Sequence, residues 1–317
     1  MSEYKSALII GMAGGLARIT ATLLTREFPN MKITGVDSRP IKEPLKNSNI
    51  RYLQFRYSRS HFEKLFRDQS FDVVLHLARM SHSDTSNNLS QRLETNITST
   101  NRILDLSLKF GTKKIVVLST FHVYGALSDN PVFISEESPL KASIKYPELR
   151  DVVEMDQLAS SWMWKNQNHI ETVILRPCNI IGPQIRNTMT QYLSSPYAPV
   201  CSDFNPMFQF IHEYDMSRAI VAAIKKLPVG IYNVAPDDVI SLKEARKVLQ
   251  VPNIQLPSFV LEGGVRLLSN AFWSFPRYLI DYIKFASIID NSAFKAHAQP
   301  FEFRYRIKEA LELLKLD

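Results

Sequence analysis

The chain has 317 residues and a formal net charge of +7, with 45% hydrophobic and 22% charged residues. This is an ordinary globular profile, long enough for one large α/β domain plus a smaller lobe, with no signal-like leader and no uninterrupted membrane span. Lys and Arg are scattered rather than blocked, which argues against nucleic acid as a partner, and only Cys178 and Cys201 are present, without metal-ligand spacing or a disulfide framework. A cytoplasmic address and no metal are expected.

The first element is Ala7-Leu-Ile-Ile-Gly-Met-Ala-Gly-Gly-Leu-Ala-Arg18, an apolar strand that runs into a glycine turn and then a helix. Gly11 permits the tight turn, Gly14 lets a pyrophosphate approach the backbone, and Ala17 allows close helix packing. Gly15, Leu16 and Ala17 open a helix whose free N–H groups face phosphate oxygens. Lys32-Ile-Thr-Gly-Val-Asp37 reads as a second strand ending in an acid about 20 residues further on, where a ribose 2′-hydroxyl needs an acceptor. Asp37 favours NAD over NADP because it repels a 2′-phosphate, although Arg39 stands two residues later.

Apolar runs at Ala7–Ile10, Ile33–Val36, Val73–Leu77, Ile115–Leu118 and Thr172–Leu175 alternate with helical periodicity at Leu16–Glu27, Asn96–Phe110 and Val152–Asn166. Repeated βα units of this kind predict a Rossmann-type, doubly wound parallel sheet with a smaller C-terminal substrate lobe. The expected division is residues 1–177 with 208–235 returning to them for the nucleotide-binding domain, and 178–207 with 236–317 for the lobe. From Pro177 prolines break up the chain before a helical segment at Asp215–Lys226. The stretch Pro257–Asp290 is apolar and aromatic, with Arg266, Arg277 and Lys284 at its rim. It reads as lobe helices packing on the core, or as an apolar substrate wall or membrane-surface contact.

Several spaced motifs together resemble the extended short-chain dehydrogenase/reductase superfamily, in particular its NAD-dependent epimerase/dehydratase branch of UDP-glucose 4-epimerase-like proteins. Besides the glycine turn these are His76-Leu-Ala78, Asn96 in Thr95-Asn-Ile-Thr, Ser119-Thr-Phe-His-Val-Tyr-Gly125, Arg176-Pro-Cys-Asn-Ile-Ile-Gly-Pro183, Ile211-His-Glu-Tyr-Asp215 and Gly230-Ile-Tyr-Asn-Val234. The resemblance implies NAD held by Gly11, Gly14, Gly15, Leu16, Ala17, Asp37, Leu77, Ala78, Arg79, Asn96, Ser119 and Pro177. It implies substrate contacts from His122, Asn179 and the Phe208 position. Helices after Asn96 and Tyr146 permit a homodimer.

The family abstracts a hydroxyl proton with a tyrosine while nicotinamide takes a hydride. A phenol is a poor base at neutral pH unless positive charge lowers its pKa, and the family supplies a lysine four residues on. Here the segment is Tyr146-Pro-Glu-Leu-Arg150, so arginine stands in the lysine position and Pro147 pushes Tyr146 toward a helix N-cap. Arg150 keeps a charge but cannot relay a proton. Thr120 falls where a hydroxyl holds the reacting oxygen. Phe208 stands where epimerases commonly carry a diphosphate-binding arginine, and Arg56 where the family usually has an acid touching adenine. The leading expectation is therefore an NAD-dependent epimerase/dehydratase-like oxidoreductase acting on a hydroxyl-bearing substrate such as a nucleotide sugar. A dehydrogenase of apolar, steroid- or lipid-like alcohols and a disabled NAD-binding protein are the alternatives.

Overall fold

The computed structural model describes residues 4–41, 47–78, 93–264 and 275–316. The strands, in chain order, are β1 (Ser6–Ile10), β2 (Lys32–Asp37), β3 (Ile50–Gln54), β4 (Val73–His76), β5 (Lys114–Leu118), β6 (Glu171–Pro177), β7 (Asn179–Ile181), β8 (Pro199–Cys201), β9 (Met207–Phe208), β10 (Phe210–His212), β11 (Gly230–Val234), β12 (Ile240–Ser241) and β13 (Ile254–Leu256). Seven of them form one sheet in the order β3-β2-β1-β4-β5-β6-β11, with every neighbouring pair parallel. The order reverses direction between β1 and β4, and open α/β sheets as a class bind ligands at such a point, beyond the strands' carboxyl ends.

The continuous apolar runs follow from burial on both faces. Ala7 and Ile9 of β1 face one core cluster with Leu75, Val116 and Val173, while Leu8 and Ile10 face a second with Val74, Val117 and Ile174. Helices cover both faces: α1 (Gly15–Glu27), α2 (Arg59–Asp68), α3 (Ser99–Lys109), α4 (Arg150–Asn166) and α5 (Glu213–Lys225), with α1 lying against α5. A π-helical turn, Glu94–Thr98, leads into α3, so the helix expected from Asn96 begins irregularly. β7–β10, β9–β12 and β8–β13 pair as three small two-stranded sheets outside the main one. Among the described residues no helix is long and apolar enough to cross a membrane.

Within the apolar stretch after Pro257, residues 258–264 are helical and Leu279–Tyr282 forms a helical turn, named α6 here. Leu279, Ile280, Tyr282 and Ile283 are buried, whereas Phe259 is exposed. The expected sites at Arg79 and Arg266 lie outside the described residues.

Candidate active site

The glycine turn sits between the ends of β1, β2 and β4. Gly11 has φ +94°, and a Cβ there would meet the Ala78 Cα and N at 2.9 Å, so glycine is required both for conformation and for close approach to the chain after β4. Leu77 donates its backbone N–H to the Ile10 carbonyl and fixes that approach. Among the described residues, a Cβ on Gly14 would meet only the Gly11 carbonyl at 3.3 Å and the Arg39 guanidinium at 4.0 Å, which leave the face above Gly14 open. Gly14 caps α1 without a side-chain hydrogen bond, and the first turn carries no acid. Open space beside an uncapped helix N-terminus fits a pyrophosphate. Gly15 packs on Gln184, while Leu16 and Ala17 are buried.

Asp37 ends β2 with its carboxylate inside a ring of donors. Oδ2 accepts from the Ala13 N–H at 3.0 Å and Arg39 Nη2 at 3.1 Å, and Oδ1 accepts from the Arg39 backbone N–H at 3.0 Å and Nε at 3.1 Å. Burial works to raise the Asp37 pKa, but the Arg39 and Ala13 hydrogen bonds outweigh it and hold the carboxyl below its ordinary range. The Asp37 carboxylate thus ends β2 beside the glycine turn, with the Arg39 guanidinium already upon it. Arg56 is exposed beyond the end of β3.

The motif residues further along are tied to one another. Asn96 Nδ2 donates to Asp151 Oδ2 at 2.8 Å, and both residues are buried. Ser119 Oγ donates to Asp156 Oδ2 at 2.5 Å, and Arg176 reaches the same carboxylate twice, at 2.6 and 3.0 Å. Arg176 Nη1 donates to the Tyr124 hydroxyl at 2.9 Å, which donates in turn to Asn233 Oδ1 at 2.8 Å. Burial, countered in part by Arg176, pushes the Tyr124 pKa up to about 12, so the phenol stays neutral and can fill this donor–acceptor role. Pro177 lies in β6 opposite Val234. Asn179 is buried and its amide contacts the Gln209 carbonyl at 3.4 Å. Phe208 is buried and stacks on Phe210 at 5.7 Å between ring centres, part of the core rather than a free wall.

Thr120 caps the short 3-10 helix Phe121–Tyr124, and its Oγ1 lies 2.8 Å from His122 Nδ1. The His122 ring packs beside Phe121 at 4.2 Å and Tyr282 at 4.9 Å. Tyr146 packs on the same group of rings, 6.5 Å from the Tyr278 ring and 6.2 Å from Tyr282. As the proline predicts, Tyr146 is extended (φ −123°, ψ 93°) and caps a 3-10 turn, Pro147–Leu149, ahead of α4.

The cation expected beside Tyr146 is engaged elsewhere. Arg150 is exposed and its Nε contacts Glu154 Oε1 at 2.5 Å, an i,i+4 pair along α4. The charges beside Tyr146 are instead Asp281 and Lys145, which sequence reasoning missed. The Tyr146 hydroxyl lies 3.0 Å from Asp281 Oδ2 and 2.8 Å from the Ala126 carbonyl, two acceptors for a single phenolic proton. Lys145 Nζ pairs with Asp281 Oδ2 at 3.0 Å and lies 5.5 Å from the Tyr146 ring centre. Burial first, then the Asp281 charge and hydrogen bond, raise the Tyr146 pKa far above the usual phenol range. The one signal for Asp281 in the sequence was a lone acid among the aromatic residues Tyr278 to Phe285. An open pocket of about 530 Å³ adjoins this group, between Lys145–Glu148 and Arg277–Asp281.

The sequence profile of the NAD dependent epimerase/dehydratase family matches residues 7–235, from β1 through the end of β11. The chain belongs to this family. A human dTDP-D-glucose 4,6-dehydratase is 26% identical over 263 residues, 77% of this chain and 73% of its own length. An uncharacterized protein of Mycobacterium tuberculosis is 23% identical over 283 residues, 86% of this chain and 73% of its own. Among solved structures, the UDP-glucose 4-epimerase of Thermotoga maritima with UDP-glucose is similar with a TM-score of 0.76 at 17% identity, covering 98% of this chain and 97% of that one. The dTDP-glucose 4,6-dehydratase of Bacillus anthracis in complex with NAD gives 0.74 at 17% identity, covering 98% and 96%. These structural likenesses establish the shared fold.

Proposed function

We propose that the protein is an NAD-dependent epimerase/dehydratase-type enzyme that oxidises a hydroxyl-bearing carbon of a nucleotide sugar. The observation that carries this reading is the glycine turn, with Gly11 closed against Ala78 and the space above Gly14 open at the uncapped start of α1. Gly11, Gly14 and the α1 N-terminus would hold the pyrophosphate, Asp37 the adenosine ribose, and the ends of β4 and β5 the nicotinamide side. A bound nicotinamide supplies a hydride acceptor. Thr120 would hold the reacting oxygen, and Tyr146 would receive its proton. The charge that assists Tyr146 does not come from Arg150, which is spent on Glu154. The human dehydratase relative and the fold shared with UDP-glucose 4-epimerase support a nucleotide sugar over an apolar alcohol, and Phe208, buried against Phe210, offers such an alcohol no free apolar wall.

The disabled reading keeps one specific observation in its favour: the Tyr146 hydroxyl is turned onto two acceptors. The test is to denature the purified protein, identify released dinucleotide by mass spectrometry, and assay the native protein with NAD on UDP-glucose and dTDP-glucose. Bound NAD with turnover of either sugar supports the enzyme. Bound NAD without turnover leaves the disabled reading, and failure to bind NAD or NADP overturns both.

A further inference from the structure

We propose that Asp281, held by Lys145, is the proton-accepting partner of Tyr146, replacing by a carboxylate relay the lysine that the Tyr-x-x-x-Arg segment lacks. The proposal rests on the hydride-transfer reading above. Three observations converge on it. The Tyr146 hydroxyl lies 3.0 Å from Asp281 Oδ2, Lys145 Nζ lies 3.0 Å from that same oxygen, and the pocket beside them is open to a ligand. Asp281 comes from α6, 135 positions along the chain from Tyr146, so the C-terminal region completes the site. Lys145 also sits 5.7 Å from the Phe285 ring centre, which anchors its stem on the segment that carries Asp281.

The chemistry follows from the direction of the hydrogen bond. A phenol whose neighbours are a carboxylate and a carbonyl is held in its protonated, donating form, and burial next to a negative charge works against the phenolate. Such a tyrosine can still remove a proton from a substrate hydroxyl if its own proton leaves at the same time. The substrate O–H bond breaks and its proton bonds to Tyr146 Oη. The original Tyr146 proton passes to the Asp281 carboxylate. The C–H bond on the same carbon would break as the C–O bond becomes a carbonyl, its electron pair leaving as hydride for the acceptor that a bound nicotinamide would supply, so that the substrate carbon would be oxidised and the cofactor reduced by two electrons. Reversal returns the proton along the same path, as an epimerisation cycle needs. Lys145 keeps the carboxylate oriented toward the phenol and offsets its charge at the edge of the open pocket.

The charged and titratable groups around the pair are Lys145 and Glu148 from the turns preceding α4, Arg277, Tyr278, Tyr282 and Lys284 around α6, and His122 packed on the same Tyr282 ring. The relay is therefore separated from a purely structural contact by pH dependence and by rescue. The experiment compares wild type, Asp281→Asn, Asp281→Glu and Lys145→Met, as full-length proteins loaded with NAD and assayed on UDP-glucose and dTDP-glucose. Tyrosinate absorbance near 295 nm is titrated in parallel, with Tyr146→Phe as the blank. Asp281→Asn is expected to lower kcat by about 10²–10⁴-fold with little change in KM, to abolish the acid limb of the pH–rate profile, and to move the Tyr146 absorbance change to lower pH. Asp281→Glu is expected to restore part of kcat, and Lys145→Met to displace the acid limb without removing it. If Asp281→Asn keeps kcat within a few-fold and retains the wild-type pH profile, Asp281 only anchors α6 and the relay is refuted, while the hydride-transfer reading stands on wild-type turnover. If wild type itself turns over neither sugar, the hydride-transfer reading fails and the relay falls with it.

Discussion

Replacing Arg39 by alanine tests how the adenosine ribose is held. A carboxylate offers about four lone-pair directions, and those of Asp37 are met by the Ala13 N–H and by three donors of Arg39. A ribose hydroxyl that binds Asp37 must displace the two guanidinium contacts, since the backbone N–H groups belong to the turn itself. The Arg39 side chain is 64% exposed, so its ion pair is screened by solvent and worth about 0.2–1 kcal/mol. Removing that competitor should tighten NAD binding by about 1.4- to 5-fold. Asp37→Ala removes a charged acceptor worth about 1.5–3 kcal/mol and should weaken NAD by about 10- to 150-fold. NADP should respond in the opposite sense, because Arg39 is the one of these two side chains that attracts a 2′-phosphate. Isothermal titration of both cofactors into the wild type and the two variants gives all the constants. If Arg39→Ala weakens NAD by more than about 5-fold, the guanidinium holds the cofactor and the competition argument is wrong.

Gly11→Ala forces a Cβ to 2.9 Å from Ala78 backbone at φ +94° and should cost at least about 1–3 kcal/mol in urea unfolding. Gly14→Ala, at an ordinary φ of −75°, should keep stability within about 1 kcal/mol yet weaken NAD in titration, and equal effects of the two would contradict the open cradle. Asp156→Ala leaves the Arg176 guanidinium buried without its carboxylate and should lower unfolding free energy by about 3–5 kcal/mol. His76 is buried, its Nε2 lying 2.8 Å from Thr100 Oγ1 while Nδ1 has no partner among the described residues, and burial lowers its pKa to about 4. The unfolded imidazole, near 6.5, binds a proton first as pH falls, so the stability present above 6.5 should drain away between 6.5 and 4, by roughly 3 kcal/mol in full. Urea midpoints measured down that range should fall less steeply in His76→Gln than in wild type.

What the sequence made legible was what local physics dictates. Strands buried on both faces must be continuous apolar runs, and the runs at Ala7–Ile10 and Ile115–Leu118 lie within β1 and β5. The pre-proline restriction on Tyr146 acts between adjacent residues, and its capping position followed from the pair Tyr146-Pro147 alone. The site's charges obey no such short-range rule. Arg150 had two partners within reach of reasoning, Tyr146 and Glu154, and helical i,i+4 geometry favours the second once Tyr146 lies outside the helix. Asp281 reaches Tyr146 only through the fold of the C-terminal segment, and no pattern of spacing encodes a contact across 135 positions.

The motifs that identify the family are held in place by a demand other than the reaction. Ser119 and Tyr124, Arg176, and Asn233 come from three separate motifs, yet one chain of hydrogen bonds runs from Ser119 through Asp156, Arg176 and Tyr124 to Asn233. It clasps the carboxyl ends of β5, β6 and β11, where the loop carrying Thr120 and His122 leaves the sheet. Every member is buried, so loss of one strands the polar atoms of the next, at about 1–3 kcal/mol for a neutral partner and more for Arg176. Such a network resists substitution whether or not the enzyme reacts. A recognisable Ser-Thr-x-x-Val-Tyr-Gly segment accordingly testifies to the clasp itself, and the proposed chemistry rests on groups outside it: Thr120, Tyr146, Lys145 and Asp281.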